Sequence, residues 1–589
     1  MNIPVFSTLK DLFDYSTSTY KNNKAFSYIS GNSYTYGEFG DQTNKLTQIF
    51  LQHGVSPGDK IAILSQNMPN WPVAYFATTT NGLVLVPMLP DFSEFEIKNI
   101  LEHSGSRILL VSKRLLHKVP QEIISGLDLV VETDTFEILH ALEGLPQGNI
   151  TSPKEEDLAT IIYTSGTTGN SKGVMLTHRN LCTHLYAAFK LRPGYDWDIW
   201  LSLLPLSHTL ESSLSMLLPM VSGASVYYIE KAPTPTILIK ALKEVRPTTI
   251  LSVPMIIEKI YRNTVLPKFN SGKLVKAIYS TTPGRKLLHR IAGKKLMETF
   301  GGRIRFFGIG GARLDGTVER FLYEAKFPYA IGYGLTETAP LLAGAIPDNV
   351  KWQSTGPAVH GVELRIDNPN PETGEGEIVA RGPNVMVGYY KNPEATEQAF
   401  TKDGWFRTKD LGIIDKEGRL YIKGRLNNMI LGPSGENIYP EEIESVINGH
   451  DMVSESIVTQ SKGKLIAKVH FNPDKLKALK EAKEDALNAY YQKRDQLVKS
   501  YEEKKEELMH TYEEKKEELM NTYDEKREEL DEIIDTFNKK IEQLKKDVSE
   551  YVNARVNKFS KINIVEDHPE QFEKTATQKI KRYKYTEKE

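Results

Sequence analysis

The chain has 589 residues, 40% of them hydrophobic and 25% charged, ordinary values for a soluble globular protein but too many residues for one domain. Its 74 Lys and Arg nearly balance 76 Asp and Glu, a formal net charge of −2, so no global basic field points to nucleic acid. The single cysteine, Cys182, excludes an internal disulfide framework and fits a reducing compartment.

The amino terminus, MNIPVFSTLKDLFDYS, lacks the basic-then-apolar layout of a signal peptide. The most apolar long window, Leu201 to Ile229, is interrupted by His208, Glu211 and two prolines, which suits a buried segment better than a membrane span. A cytoplasmic protein is therefore expected. From Ile61 to about Val458 short apolar runs alternate with amphipathic stretches: KIAILS, LVLVPML, RILLVS, ATIIYT, ASVYYI and TTILSV. Runs buried on both faces and separated by helical segments predict parallel sheets covered by helices, an α/β architecture. After GEIVARG, the stretches WFRTKDLGIID and GRLYIKGR predict a β-rich subdomain ending near Gly424. A smaller α+β unit then opens with the helix YPEEIESVINGH, Pro440 in its first turn, followed by strands SESIVTQ and KLIAKVHF.

Between the run LATIIYT and the helix-like THRNLCTHLYAAF lies YTSGTTGNSKGV, with six consecutive Ser, Thr and Gly residues from Thr164. It is no Walker loop, because only two residues separate Gly166 from Gly169 and Lys172 precedes Gly173. Its chemistry still suits phosphate: converging backbone N–H groups, the hydroxyls of Thr164, Ser165, Thr167 and Thr168, and the point charge of Lys172. Taken alone, a phosphate loop and a flexible linker both fit.

From Asp474 to His568 there is neither glycine nor proline, and an eleven-residue repeat appears: SYEEKKEELMH, TYEEKKEELMN, TYDEKREELDE. Tyr501, Leu508, Tyr512, Leu519, Tyr523 and Leu530 alternate at spacings of seven and four, one narrow stripe of a coiled coil. A solvated charged helix is the alternative, but like charges four apart, as at Glu502 and Glu506, weaken it.

Five motifs in order resemble the adenylate-forming superfamily of acyl-CoA synthetases, luciferases and peptide-synthetase adenylation domains. They are TSGTTGNSKG, YGLTETAP from Tyr333, GWFRTKDLGIID from Gly404, KGRLNNMILGPSGENIYPEEIE from Lys423, and KTATQKIKRYKY from Lys574. The combination of GPSGENIYPEEIE with LPLSHTLE and FFGIGGARL is most similar to bacterial long-chain fatty acid–CoA ligases. The resemblance implies residues 1–424 as a large adenylation domain and 425–589 as a small mobile domain, with a coiled-coil insertion at 474–550. It also implies the reaction: a fatty acid attacks ATP, pyrophosphate leaves, and coenzyme A then takes the acyl group and releases AMP. Transfer to an acyl carrier protein, and a scaffold with an inactive core, are the alternatives.

By that resemblance Thr164, Ser165, Gly166, Thr167, Thr168, Gly169 and Lys172 hold the β- and γ-phosphates. Tyr333 stacks on adenine, and Gly310, Gly311 and Ala312 lie against adenine and the acyl pocket. Thr336 bonds the α-phosphate, Glu337 ligates Mg²⁺, Asp410 takes the ribose hydroxyls and Arg425 contacts ribose or phosphate. His208 sits near the carboxylate, a satisfied core histidine being its alternative, and Lys579 neutralises the transition state. Gln578 and Asn427 depart from the family pattern, which usually has Gly before the lysine and Asp or Lys at the hinge.

The resemblance resumes after the insertion at EYVNARVNKFSKINIVEDH, which implies that the segment leaves and re-enters one domain. One helix of about 75 residues would part its ends by about 110 Å. An antiparallel hairpin with its midpoint near His510 to Tyr512 avoids this; a domain-swapped homodimer is the other solution. The insertion pairs with itself or with an unknown partner. Fatty substrates make peripheral attachment at the inner face of the membrane plausible, though no anchor stands out.

Overall fold

Strands in which every residue is apolar need cover on both faces, and here they find it. The computed structural model describes residues 4–164, 171–230, 234–431, 437–461, 463–504, 512–575 and 579–586. They divide into two compact units, Met1–Asn427 with Lys574–Lys579, and Asn428–Glu573 with Ile580–Glu589.

In the larger unit the first sheet runs parallel through Leu158–Thr164, Val84–Met88, Lys60–Leu64, Ile108–Val111 and Leu129–Glu132. Antiparallel strands close its edges: Lys172–Thr177 and Gly388–Tyr389 on one side, Ile138–Ala141 on the other. The second sheet is parallel through Tyr329–Tyr333, Phe306–Ile309, Thr249–Ser252, Ile199–Ser202, Ser225–Tyr228 and Lys24–Tyr28. Alternation decides what each residue covers: Ile61 and Ile63 enter the core that also takes Phe26, Val226 and Tyr228 of the second sheet, whereas Ala62 and Leu64 enter another. Helix Asn70–Thr79 belongs to that shared core, and all ten of its residues are buried.

The β-rich subdomain is a five-stranded antiparallel sheet that includes Gly376–Arg381, Phe406–Ile414 and Arg419–Arg425. All six apolar runs singled out from the sequence contain strands, so the α/β expectation holds, with a β-rich subdomain and a smaller α+β unit.

In that smaller unit, Val453–Ser461 and Lys464–Phe471 pair antiparallel, and helix Pro440–Asn448 buries Ile443 and Ile447 against them. Strand Ile564–Asp567 lies parallel to Lys464–Phe471, Ile466 opposite Ile564, so the inserted segment does leave and re-enter one sheet. Between them run helices Pro473–Lys504 and Tyr512–Asn553, of 32 and 42 residues, packed against each other. Leu476 near the start of the first and Val548 and Val552 near the end of the second share one core, which makes the pair antiparallel. Tyr512 is helical, not part of a turn; His510, and the side chains of Tyr501, Leu508, Tyr512, Leu519 and Tyr523, lie outside the described residues, while Leu530 is buried. Among the described residues no helix is long and apolar enough to cross a membrane.

Truncation should separate this core from the arms. Ile443→Ala, at a fully buried position, is expected to cost about 2–5 kcal/mol, and Tyr491→Ala on an exposed arm about 0.5 or less. Urea unfolding followed by circular dichroism measures both.

Candidate active site

The three sheets of the larger unit end in loops that carry most of the motif residues. Strand Tyr329–Tyr333 delivers Tyr333 at its last position, and strand Phe406–Ile414 delivers Asp410, whose pleat partner is Arg425. The Tyr333 hydroxyl donates to Asp410 Oδ2 at 2.8 Å, and Arg425 Nε lies 2.9 Å from Asp410 Oδ1. Asp410 is buried, so its charge is compensated where it stands. Burial, and then the Asp410 charge, hold the Tyr333 phenol well above its usual value, so it remains a donor.

Immediately after Tyr333 the chain doubles back. A Cβ at Gly334 would fall 1.7 Å from the Pro340 carbonyl oxygen, so only glycine admits this return. The turn carries Thr336 and Glu337 on the short helix Thr336–Thr338 and is pinned from inside. Asn384 Nδ2 donates to the carbonyls of Thr338 and Leu341, at 2.8 and 3.1 Å, and the Met386 amide donates to Glu337 O at 2.8 Å. The Tyr389 hydroxyl donates to Glu337 Oε1 at 3.0 Å, while Lys172 Nζ sits over the Tyr389 ring, 5.0 Å from its centre. Tyr389 thus joins the turn to the base of the glycine-rich loop. The sequence motifs point to neither Asn384 nor Tyr389; the aromatic pair in GYYKNP was the available signal, but it has no diagnostic spacing.

Thr164 and Lys172 face each other as the last pair of an antiparallel hairpin. Ser165, Gly166, Thr167, Thr168 and Gly169 between them lie outside the described residues, as does Gln578. A methyl on Gly310 would meet Leu210 at 3.4 Å and the Gly332 carbonyl at 3.7 Å, both ordinary contacts, so close packing alone does not demand glycine there. Gly311 adopts φ +83°, a conformational demand for glycine, and Ala312 is exposed.

His208 Nδ1 accepts from the Leu210 amide at 3.2 Å and caps the short helix Thr209–Glu211. Burial, helped by the positive charge of Lys579, pulls its pKa down to about 4, so it is a neutral imidazole at neutral pH. The core-histidine alternative therefore accounts for one of its nitrogens. Lys579 groups with the larger unit. Crowding by protein atoms and then Arg425 lower its pKa, with Asp410 and Glu337 opposing; because the side chain keeps solvent access, it retains part of its hydration. Lys579, Arg425, Asp410, Glu337 and His208 thus share one electrostatic neighbourhood.

Glu211 is the buried group that the motif assignments left without a role. It is fully buried, and its Oε1 accepts from Ser202 Oγ at 2.6 Å and the Leu203 amide at 3.1 Å, bracing the loop that leads to His208. Burial pushes its pKa up to about 7 against those hydrogen bonds.

Among the described residues no group of three or more His, Cys, Asp or Glu could hold a metal. Mg²⁺ needs no such cage when it arrives with nucleotide phosphates, since one or two carboxylates suffice. Glu337, half-buried and anchored through Oε1 by the Tyr389 hydroxyl, fits that requirement.

Residues 13–390 match the model of the AMP-binding enzyme family, and the chain belongs to that family. It is 30% identical to the long-chain-fatty-acid–CoA ligase FadD15 of Mycobacterium bovis over 72% of this chain and 74% of the relative. It is 28% identical to the peroxisomal long chain acyl-CoA synthetase 7 of Arabidopsis thaliana over 80% of this chain and 75% of the relative. The fold is that of O-succinylbenzoate coenzyme A synthetase from Bacillus subtilis, solved in complex with ATP and magnesium ion. That comparison has a TM-score of 0.69 at 22% identity and covers 97% of this chain and 98% of that one.

The buried carboxyl gives a pH prediction. With its folded pKa near 7 and an ordinary value of 4.5, Glu211 favours folding below pH 4.5 relative to high pH, and this is lost as pH rises through 7. Between pH 5 and 8 the wild type should therefore lose up to about 3 kcal/mol relative to Glu211→Gln. Denaturant titrations of both proteins at several pH values read the difference.

Proposed function

We propose that the chain is an ATP-dependent long-chain fatty acid–CoA ligase. The observation that carries this reading is the junction at Asp410, where Tyr333 and Arg425 converge beside the field of Glu337 and Lys579. Membership of the AMP-binding family and the long-chain ligases among its relatives support the chemistry and the acid.

A carboxylate oxygen of the fatty acid attacks the α-phosphorus of ATP; the bond to the β-phosphate oxygen breaks and pyrophosphate leaves. The thiol of coenzyme A, having lost its proton, then attacks the acyl carbonyl, and AMP departs with the electrons of the acyl–phosphate bond. Little covalent chemistry falls to the protein in the first step, so positioning and charge neutralisation do most of it. The loop from Thr164 to Lys172 holds the β- and γ-phosphates, Lys172 being kept in place by the Tyr389 ring. Tyr333 offers its ring to adenine. Asp410 binds the ribose hydroxyls through its carboxylate oxygens. Thr336 bonds the α-phosphate, and Glu337 holds Mg²⁺, which when bound draws charge from the phosphate oxygens. Lys579 brings its ammonium to the α-phosphate as negative charge grows there. His208, neutral, lies beside the entering carboxylate. No observation favours a carrier-protein acceptor or an inactive core.

Pyrophosphate release with Mg·ATP and acids from acetate through palmitate, with and without coenzyme A, tests the reading. Release should peak with a long-chain acid, and acyl-CoA and AMP should appear only with the thiol; no release with any acid overturns the proposal. Two variants divide the roles. Asp410→Ala is expected to raise KM for ATP about 10–100-fold by losing charge-assisted bonds. Lys579→Ala is expected to lower kcat for pyrophosphate release about 10²–10³-fold with KM for ATP little changed.

A further inference from the structure

The stretch 259–297 contains ten Lys and Arg and no Asp or Glu, in a chain whose overall charge is −2. It forms, among other elements, helices Lys273–Ser280 and Thr282–Thr299, which pack against each other; Tyr279 OH lies 3.2 Å from His289 Nε2 across the join. Helix Thr282–Thr299 buries His289, Gly293 and Leu296 along one side. At about 100° per residue the opposite side is centred on Leu287 and Ile291, with Glu298 in line with them at the helix end, Arg290 and Lys294 on one flank and Lys295 on the other. Leu287 and Ile291 are accordingly 58% and 59% exposed. Helix Lys273–Ser280 buries no residue, and its pair Leu274 and Ile278, also four apart, is 75% and 38% exposed beside Lys273 and Lys276. Glu324 engages Arg285, the basic group nearest the core, at 2.9 Å.

Aliphatic side chains at the centre of a helix's outer face contribute nothing to its own packing. On these two helices seven Lys and Arg face a single acid, the exposed Glu298, so most of the cations have no acid on their own helix to pair with. The two features together select a partner that offers anions at its surface and an apolar medium just beneath. We propose that helices Lys273–Ser280 and Thr282–Thr299 form a docking surface for a bilayer containing anionic lipids. Leu274, Ile278, Leu287 and Ile291 enter the headgroup–acyl boundary, and the surrounding Lys and Arg lie against the headgroups. Nucleic acid would satisfy the cations but leave the four aliphatic side chains in water. The inference does not depend on which acid the site activates; should the ligase reading hold, the surface brings the enzyme to where such acids partition.

Flotation of the full chain with vesicles tests it, using phosphatidylcholine alone and phosphatidylcholine mixed with phosphatidylglycerol. Binding to the anionic vesicles should exceed binding to neutral ones by about tenfold or more and should fall as salt is raised. Leu287→Ser with Ile291→Ser, and separately Arg290→Glu with Lys294→Glu, should each lower binding to the anionic vesicles at least about tenfold with unchanged melting temperature, since all four side chains are exposed. No binding of the wild type to anionic vesicles overturns the proposal. So does binding that survives the Leu287 and Ile291 changes while responding only to charge, with retention on a single-stranded RNA column, which would mark a nucleic-acid surface. Neither readout uses catalysis, so failure here and failure of the ligase reading are distinguishable.

Discussion

The carboxylate of Asp410 is the point on which the proposed nucleotide site depends. Buried on the β-rich sheet, it is shared by a phenol from the last residue of a parallel strand in another sheet and by a guanidinium from the neighbouring antiparallel strand. A buried charge of this kind depends on its partners, because each one removed leaves the carboxylate less well compensated. The arrangement therefore ties the end of Tyr329–Tyr333 to the β-rich sheet just before the turn that carries Thr336 and Glu337.

A second constraint acts on the turn that follows. Gly334 allows the backbone to fold onto Pro340, Asn384 bonds two carbonyls from inside, and Tyr389 reaches from the edge of the first sheet to Glu337. Each support comes from a different segment of chain, and none needs a ligand to form. Such preorganisation suits a reaction in which charge on phosphate must be met without rearrangement. Tyr389 has a second contact, under Lys172, so the carboxylate and the ammonium on its two sides are placed by one side chain.

The smaller unit solves a different problem. A long charged segment is inserted between two strands that lie side by side, and its two helices run out and back so that Ile564 returns opposite Ile466. Leu476, Val548 and Val552 root the pair in the unit's core, and the arms beyond carry mostly exposed polar side chains among those described. The need to close the insertion follows from the family resemblance that resumes after it and from the constant rise of a helix, whereas the side-by-side pairing of the flanking strands is a feature of the tertiary structure.

What the sequence by itself determined is what depends on local chemistry. Apolar runs such as KIAILS and TTILSV specified strands covered on both sides, Pro440 opened a helix, and the order of five motifs pointed to the family. The glycine- and hydroxyl-rich loop taken alone suited a phosphate loop or a flexible linker, and it was the order of the motifs that favoured phosphate. Only the tertiary structure decided which side chains meet. Tyr333 and Asp410 are separated by 77 positions, Tyr389 and Glu337 by 52, and no periodicity connects them. On helix Thr282–Thr299 the aliphatic Leu287 and Ile291 are exposed, while His289, Gly293 and Leu296 face the core. A helix has one inward side, and which side that is depends on what packs against it, information that the pattern along a single chain does not contain.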